Sequence, residues 1–380
     1  MKQKLLILGT RGIPASHGGF ETFAQRLALY LTKRNWEVTV YCQTEEDDLP
    51  SKNWQGIKLV YISTRKNNAL GSILFDFKST LHAATQEDGI VLTLGYNTAI
   101  FSILYRLSGK FNIINMDGLE WQRQKWNAFE KAWLYLNERI GAKLGNRLVA
   151  DHPEIKKHLS NNVAAEKIVM IPYGADWSQN NDVALLDPYG LTSGGYALVI
   201  ARPEPENSIW EIVSAFSAQK RGYKLVVLGK YRTENAYHRQ VLEAASEEVL
   251  FLGAIYDPKT VSTLRVHTRL YIHGHTVGGT NPSLVEALAA SSPVLAHDNP
   301  FNGWVAGAQA HYFGDEAQCQ QKLDELLDNP EELEQMSQGS KNRYKQAFAN
   351  DKDLKAYEKL FLSSFIELPS KSLSCPDYES

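Results

Sequence analysis

Residues 5–23 read LLILGTRGIPASHGGFETF, and this stretch decides the fold class. Leu5 to Leu8 form a continuous apolar run, the pattern of a strand buried on both faces. Gly9, Gly12, Gly18 and Gly19 follow it, and from Phe23 to Lys33 apolar residues recur at helical spacing. A buried strand that passes through a glycine-rich loop into a helix is one unit of a parallel α/β sheet. The unit repeats downstream in EVTVYC (37–42), IKLVYIS (57–63), GIVLTLG (89–95), FNIINM (111–116) and NRLVAD (146–151). A second series runs through YALVIA (196–201), KLVVLG (224–229), VLFLG (249–253), RLYIHG (269–274) and PVLAH (293–297). Between the two lies a polar, turn-rich segment, 175–194, the best linker candidate. The expected fold is therefore α/β, with two Rossmann-like doubly wound domains facing across a cleft.

The boundaries that follow are 1–175 for the first domain and 176–345 for the second. A terminal helix, 346–366, is expected to return to the first domain, and 367–380 to form a flexible tail. A length of 380 residues suits two such domains. Hydrophobic residues make up 43% and charged residues 22%, as in ordinary globular proteins. The net charge of −3 argues against a protein that coats nucleic acid. Cys42, Cys319 and Cys375 are widely spaced and odd in number, which predicts free thiols in a reducing cytoplasm rather than a metal site. MKQKLLILG is too short an apolar run for a signal-peptide core, and no run approaches the ~20 apolar residues that span a bilayer.

Ligands of such sheets bind beyond the carboxyl ends of the strands, so the loops there carry the chemistry. In the first loop, GTRGIPASHGGFETF (9–23), glycine amides and a helix N-terminus suit an anion, and Arg11 adds a cation. A loop that needs glycine only for its turns is the plainer alternative. In HGHTVGGTNPSLVEALA (273–289) the amides of Gly279, Thr280 and Asn281 can hold a diphosphate, and Glu286 can accept from ribose hydroxyls or merely complement the helix dipole. ARPEPEN (201–207) presents Arg202 as a phosphate fork or as a surface partner of Glu204 or Glu206, and Lys230 ends the neighbouring strand. Asp47, Asp48, Asp351 and Asp353 lie in polar stretches and are expected to be solvated; no metal cluster is evident. Asp117 and Glu120 follow a first-domain strand. Trp121, Trp126, Phe129, Trp133 and Tyr135 then interleave with Arg123, Lys125, Lys131, Arg139 and Lys143, either as an acceptor surface near an anionic membrane or as a core helix with a charged outer face.

Taken together, GTRGIPASHGGFET, GYNTA (95–99), MDGLEWQRQKW (116–126), IPYGAD (171–176), ARPEPEN and HTVGGTNPSLVEALA resemble the family-4 retaining glycosyltransferases of the GT-B fold. More narrowly, they resemble the bacterial rhamnosyltransferase-like subgroup of capsule and cell-wall polysaccharide assembly. The resemblance implies a metal-independent hexosyltransferase with an acceptor-side first domain and a nucleotide-sugar-binding second one. Its substrates would be a nucleotide sugar and a glycan or lipid-linked acceptor. It implies no cofactor beyond the donor and a cytoplasmic place, peripheral at the inner membrane face. The reading of the residues and the likeness together put Arg11, Gly18, Gly19, Phe20, Gly278, Gly279, Thr280, Asn281 and Glu286 against the donor; the likeness itself gives Gly18, Gly19, Arg202, Glu286 and Asp117. Asp117, Arg202 and Lys230 would be catalytic, and Asn97, Glu120, Trp121 and Arg123 would meet the acceptor. Two positions depart from the family pattern. Gly278 stands where its Glu-x7-Glu motif begins, and Asn207 where a lysine is usual; both look like features of the subgroup, which favours dTDP-rhamnose. A nucleotide-sugar epimerase of the same architecture, or a noncatalytic nucleotide-sugar or carbohydrate-binding subunit, are the alternatives. A dehydrogenase ranks below them, because neither glycine loop has dinucleotide spacing.

Overall fold

Strands rich in Val, Ile and Leu and apolar on both faces can be buried only inside a layered α/β domain, and there are two such domains. A computed structural model describes residues 2–15, 18–46, 49, 51–64, 68–177, 182–349 and 351–367. The first sheet holds β1 (Lys4–Leu8), β2 (Glu37–Thr44), β3 (Lys52–Trp54), β4 (Ile57–Ser63), β5 (Ile90–Leu94), β6 (Asn112–Asn115), β7 (Arg147–Ala150) and β8 (Ile168–Met170). Their order is β3-β4-β2-β1-β5-β6-β7-β8. All pair in parallel except β3, which turns back on β4. The second sheet holds β9 (Tyr196–Ile200), β10 (Lys224–Leu228), β11 (Val249–Gly253), β12 (Leu270–His273), β13 (Val294–His297) and β14 (His311–Phe313), in the parallel order β11-β10-β9-β12-β13-β14.

Each sheet reverses its winding once, and there a crevice opens beyond the strand ends. In the first sheet the reversal lies between β1 and β5, in the second between β9 and β12. At the first, Gly9 has φ +80, and a Cβ there would lie 2.1 Å from the Leu94 carbonyl oxygen, so only glycine lets β1 leave the sheet beside β5.

The chain crosses between the domains twice. Tyr173 is buried in the first core and Ala175 in the second. On the return, Phe348 and Ala349 belong to the second core, whereas Leu354, Tyr357, Leu360 and Phe361 of the helix Lys352–Glu367 belong to the first. Asp353 corrects the expectation of a solvated side chain. Its carboxylate is 1% exposed, pairs with Arg26 at 3.1 Å and accepts the Gly174 amide at 3.1 Å. Asp47 and Asp48 lie outside the described residues, as do 368–380. Cys42 and Cys319 are buried free thiols. Within the described residues no helix is long and apolar enough to cross a membrane.

Candidate active site

The loops after β6 and β12 meet face to face. A Cβ on Gly118 would lie 2.9 Å from the Gly278 Cα, so the two backbones touch between the domains. On the first-domain side, Asp117 sits at φ +50, a conformation non-glycine residues rarely hold without support. The support is Asn115, fully buried, whose Oδ1 accepts the Asp117 amide at 2.9 Å. Its Nδ2 donates to the hydroxyls of Tyr173 at 3.0 Å and Tyr357 at 2.8 Å. Asp117 is thereby held at the cleft.

Charges of both signs gather around it. Arg123 pairs with Glu120 at 2.6 Å and reaches across the cleft to within 3.8 Å of the buried Glu206 of the second domain. Burial, and then the Glu120 charge, push the Asp117 carboxyl up to about 6, against the pull of Arg123, the Gly118 amide and Arg202. Arg202 is exposed at the end of β9, and the buried Glu206 pairs with Arg123 instead. Lys125 feels the same cluster, and burial lowers its ammonium. The structure thus brings Asp117, Glu120, Arg123 and Arg202 together from two domains. Lys230 lies exposed after β10, on the strand that neighbours β9.

The loop after β12 is shaped by a residue that sequence reasoning passed over. His275 pairs through Nδ1 with Asn207 Oδ1, and the Asn207 amide nitrogen donates to the Arg202 carbonyl at 2.7 Å. Burial, then His273, Arg123 and Arg202, hold His275 well below the usual imidazole range, against a hydrogen bond with the Val277 backbone. Its Nε2 edge lies beneath Gly278, where φ is +153 and a Cβ would approach to 3.1 Å.

Thr280 departs from the expectation of a phosphate ligand. Its amide donates to Asp151 Oδ2 at 2.8 Å and its hydroxyl to the Asp151 carbonyl, so both are used in closing the domains. Burial, and then the Asp117 charge, raise the Asp151 carboxyl to about 8, opposed by the Thr280 amide. Asn281 caps the helix Pro282–Ala289 by accepting the Ser283 amide at 2.9 Å. Glu286 is partly exposed and pairs with the buried Arg265 at 2.5 Å, which orients its carboxylate. Across the cleft, a Cβ on Gly19 would meet Pro282 at 3.5 Å, and Phe20 packs over Gly95.

Arg11 lines a cavity of 270 Å³ beyond β1, β2 and β4 with Gln43 and Tyr61, and its amide donates to the buried Glu21 at 3.2 Å. Gly18 stands exposed at the start of the helix Gly19–Thr32. Trp121 is fixed inside its own domain, donating to Glu138 at 2.8 Å with its ring edge-on to Tyr135. Asn97 is exposed, and its carbonyl accepts from Trp133 at 2.9 Å. Among the described residues no group of three or more His, Cys, Asp or Glu could hold a metal ion.

Residues 2–176 match a family model described as a domain of unknown function (DUF1972), and residues 192–343 match that of the glycosyl transferases group 1. No curated protein sequence matches the chain. Among solved structures the chain is similar to sucrose-phosphate synthase from Thermosynechococcus elongatus, at 14% identity over 96% of this chain and 100% of that one, with a TM-score of 0.83. It is also similar to HepE of Anabaena in complex with UDP-glucose, at 13% identity over 97% and 100%, TM-score 0.75. A glycosyltransferase from Rickettsia africae aligns at 16% identity over 96% and 99%, TM-score 0.72. At such identities the likeness is one of fold, and that fold is GT-B.

Proposed function

We propose that this glycosyltransferase of the GT-B type moves a hexose, L-rhamnose from dTDP-rhamnose, with retention, onto a glycan or lipid-linked acceptor. The observation that carries the reading is the convergence of Arg202 from one domain and Asp117 from the other on one cleft. Arg202 neutralises the departing nucleoside diphosphate, helped by Lys230 and by backbone amides of the loop after β12. These cations do the work a metal ion does elsewhere, so the reaction needs no bound metal. Asp117, with a carboxyl near 6, orients and deprotonates the acceptor hydroxyl close to neutral pH. Attack comes from the face the diphosphate leaves, without a covalent enzyme intermediate. Glu286 accepts from the ribose hydroxyls, and closure excludes water that would hydrolyse the donor.

The rhamnose donor rests on resemblance in the loop motifs, and the UDP-glucose of HepE names its competitor. A thermal-shift comparison of dTDP-rhamnose with UDP-glucose decides between them, because the true donor raises the melting temperature by mass action. Turnover of Arg202→Ala is expected to fall about 10²–10³-fold, as when one transition-state donor is removed. Wild-type rates in that variant would remove the phosphate role. Conversion of the donor without any acceptor would favour an epimerase instead. Peripheral contact with an anionic membrane belongs to the same reading, and failure to float with anionic vesicles at low salt would count against it.

A further inference from the structure

The turn after β12 brings backbone, and no side chain, to the cleft. Gly278 and Gly279 stand there, and a Cβ at 279 would collide with the Asp151 carboxylate. Such a turn offers amides, which suit the oxygens of a diphosphate, and no side chain that accepts from a sugar hydroxyl. An accepting group stands on the neighbouring loop. Glu206 sits in the single helical turn Pro205–Asn207, four residues beyond Arg202. Its carbonyl accepts the Thr276 amide at 2.9 Å and the Thr276 hydroxyl at 3.0 Å, which stitches the two loops together. The Asn207 side chain ties the turn back to the Arg202 carbonyl at 2.7 Å. The backbone that carries Glu206 is thereby fixed, yet its carboxylate is left unmet. The side chain is 1% exposed, and neither oxygen has a hydrogen-bond partner among the described residues. Arg123 of the first domain stands 3.8 Å away, beyond hydrogen-bond reach, and lies closer to Glu120, at 2.6 Å. Burying a carboxylate with both oxygens unmet is costly, and native structures seldom do so without a ligand or partner to complete it.

The surroundings select what completes it. An anion against the carboxylate would be repelled, and an apolar group would leave both oxygens unmet. A cation would have to compete with Arg123, Lys125 and Arg202, which already share this cluster with Glu206 and Glu120. Neutral hydroxyls remain. Two neighbouring hydroxyls of a sugar ring can donate to the two oxygens of one carboxylate, and hydrogen bonds to an ionised acceptor are the strong ones. A nucleotide sugar held at Arg202 through its diphosphate carries such a ring on the far side of that group, within one turn of chain from Glu206.

We propose that Glu206 is a specificity-determining residue for the donor: its two carboxylate oxygens accept hydroxyls of the transferred sugar, and Thr276 positions it. This rests on the transferase reading above, which supplies the nucleotide sugar. The test is isothermal titration of the full chain with a panel of dTDP-, UDP- and GDP-sugars, each beside its bare nucleoside diphosphate. The sugar nucleotide that binds the wild type is expected to weaken about tenfold or more in Glu206→Ala, as when a hydrogen bond to a charged group is lost, while the bare nucleotide keeps its affinity. Glu206→Gln retains one accepting oxygen and is expected to fall between. Unchanged sugar-nucleotide affinity in Glu206→Ala overturns the proposal and leaves the transferase reading standing. An equal loss for sugar nucleotide and bare nucleotide overturns it too, because a residue that only shapes the loop would weaken both alike. A wild type that binds no sugar nucleotide of the panel removes the transferase reading, and this proposal with it.

Discussion

At the scale of single residues, the two departures from the family pattern turn out to be one local solution. Asn207 holds His275 through its Nδ1, and the imidazole then fills the space beneath position 278. A glutamate at 278 would need a Cβ 3.1 Å from that ring and a backbone at φ +153, so glycine there follows from histidine at 275. Asp117 and Arg202 were open to a sequence reading because each stands two residues beyond an apolar strand. Asp151 was not, because what makes it notable is a contact with Thr280 across 129 positions of sequence. That contact has a pH consequence. In the closed arrangement the Asp151 carboxyl is raised to about 8; exposed to water in an opened cleft, it would return to about 3.9. Between those values the closed form binds more protons than the open one, so closure weakens as pH rises through that window. Asp151→Asn stays neutral and still accepts the Thr280 amide. The radius of gyration from small-angle scattering is expected to grow from pH 5.5 to pH 9 in the wild type and to stay constant in the variant. Equal growth in both would show that Asp151 does not govern closure.

At the scale of elements, the longer strands were readable because near-continuous apolar runs bounded by turn formers leave few alternatives to a buried strand. The sequence reading missed β3, β8 and β14, each of three residues, because a run that short carries no period. It also placed helix onset late. The helix Gly19–Thr32 begins at Gly19 itself, where no apolar spacing is yet visible. Element ends decide the site, and β6 shows how. Its last residue, Asn115, ties the Asp117 amide to Tyr173 of the crossover and Tyr357 of the terminal helix. Truncation to alanine strands two buried hydroxyls and one amide, each worth about 1–3 kcal/mol when left unpaired. Water entering the hole recovers part of that. Asn115→Ala is therefore expected to lose about 2–4 kcal/mol in urea unfolding, and to lose turnover as well, since Asp117 is freed from its strained conformation. Full stability in that variant would mean the network is replaceable. Full stability with lost turnover would still tie Asn115 to the placement of Asp117.

At the scale of the whole molecule, the chain passes between the two domains at neighbouring crossovers, and one side chain clamps both. Arg26, on the helix Gly19–Thr32, donates to Asp176 at 3.2 Å and to the Gly174 carbonyl at 3.1 Å on the outgoing segment. On the returning segment it donates to Asp353 at 3.1 Å and lies 3.8 Å from Asp351. A planar fork of five donors reaches acceptors spread over both segments, whereas an ammonium offers three donors from a single point. Any opening of the cleft must pivot beside this cluster, because the cores are continuous on either side of it. Removing the guanidinium leaves the Asp353 carboxylate buried without a countercharge, a change that costs about 3–5 kcal/mol in comparable pairs. Arg26→Ala is expected to speed amide exchange about tenfold or more in 174–177 and 351–354 while leaving exchange in β1 and β9 unchanged. Arg26→Lys should fall between, keeping the charge and losing the fork. The double variant Arg26→Ala with Asp353→Asn should regain much of the loss, since the stranded charge is gone and a side-chain carbonyl oxygen remains to accept the Gly174 amide. Exchange that rises evenly through both sheets would instead assign Arg26 to global stability, and the pivot would have to lie elsewhere.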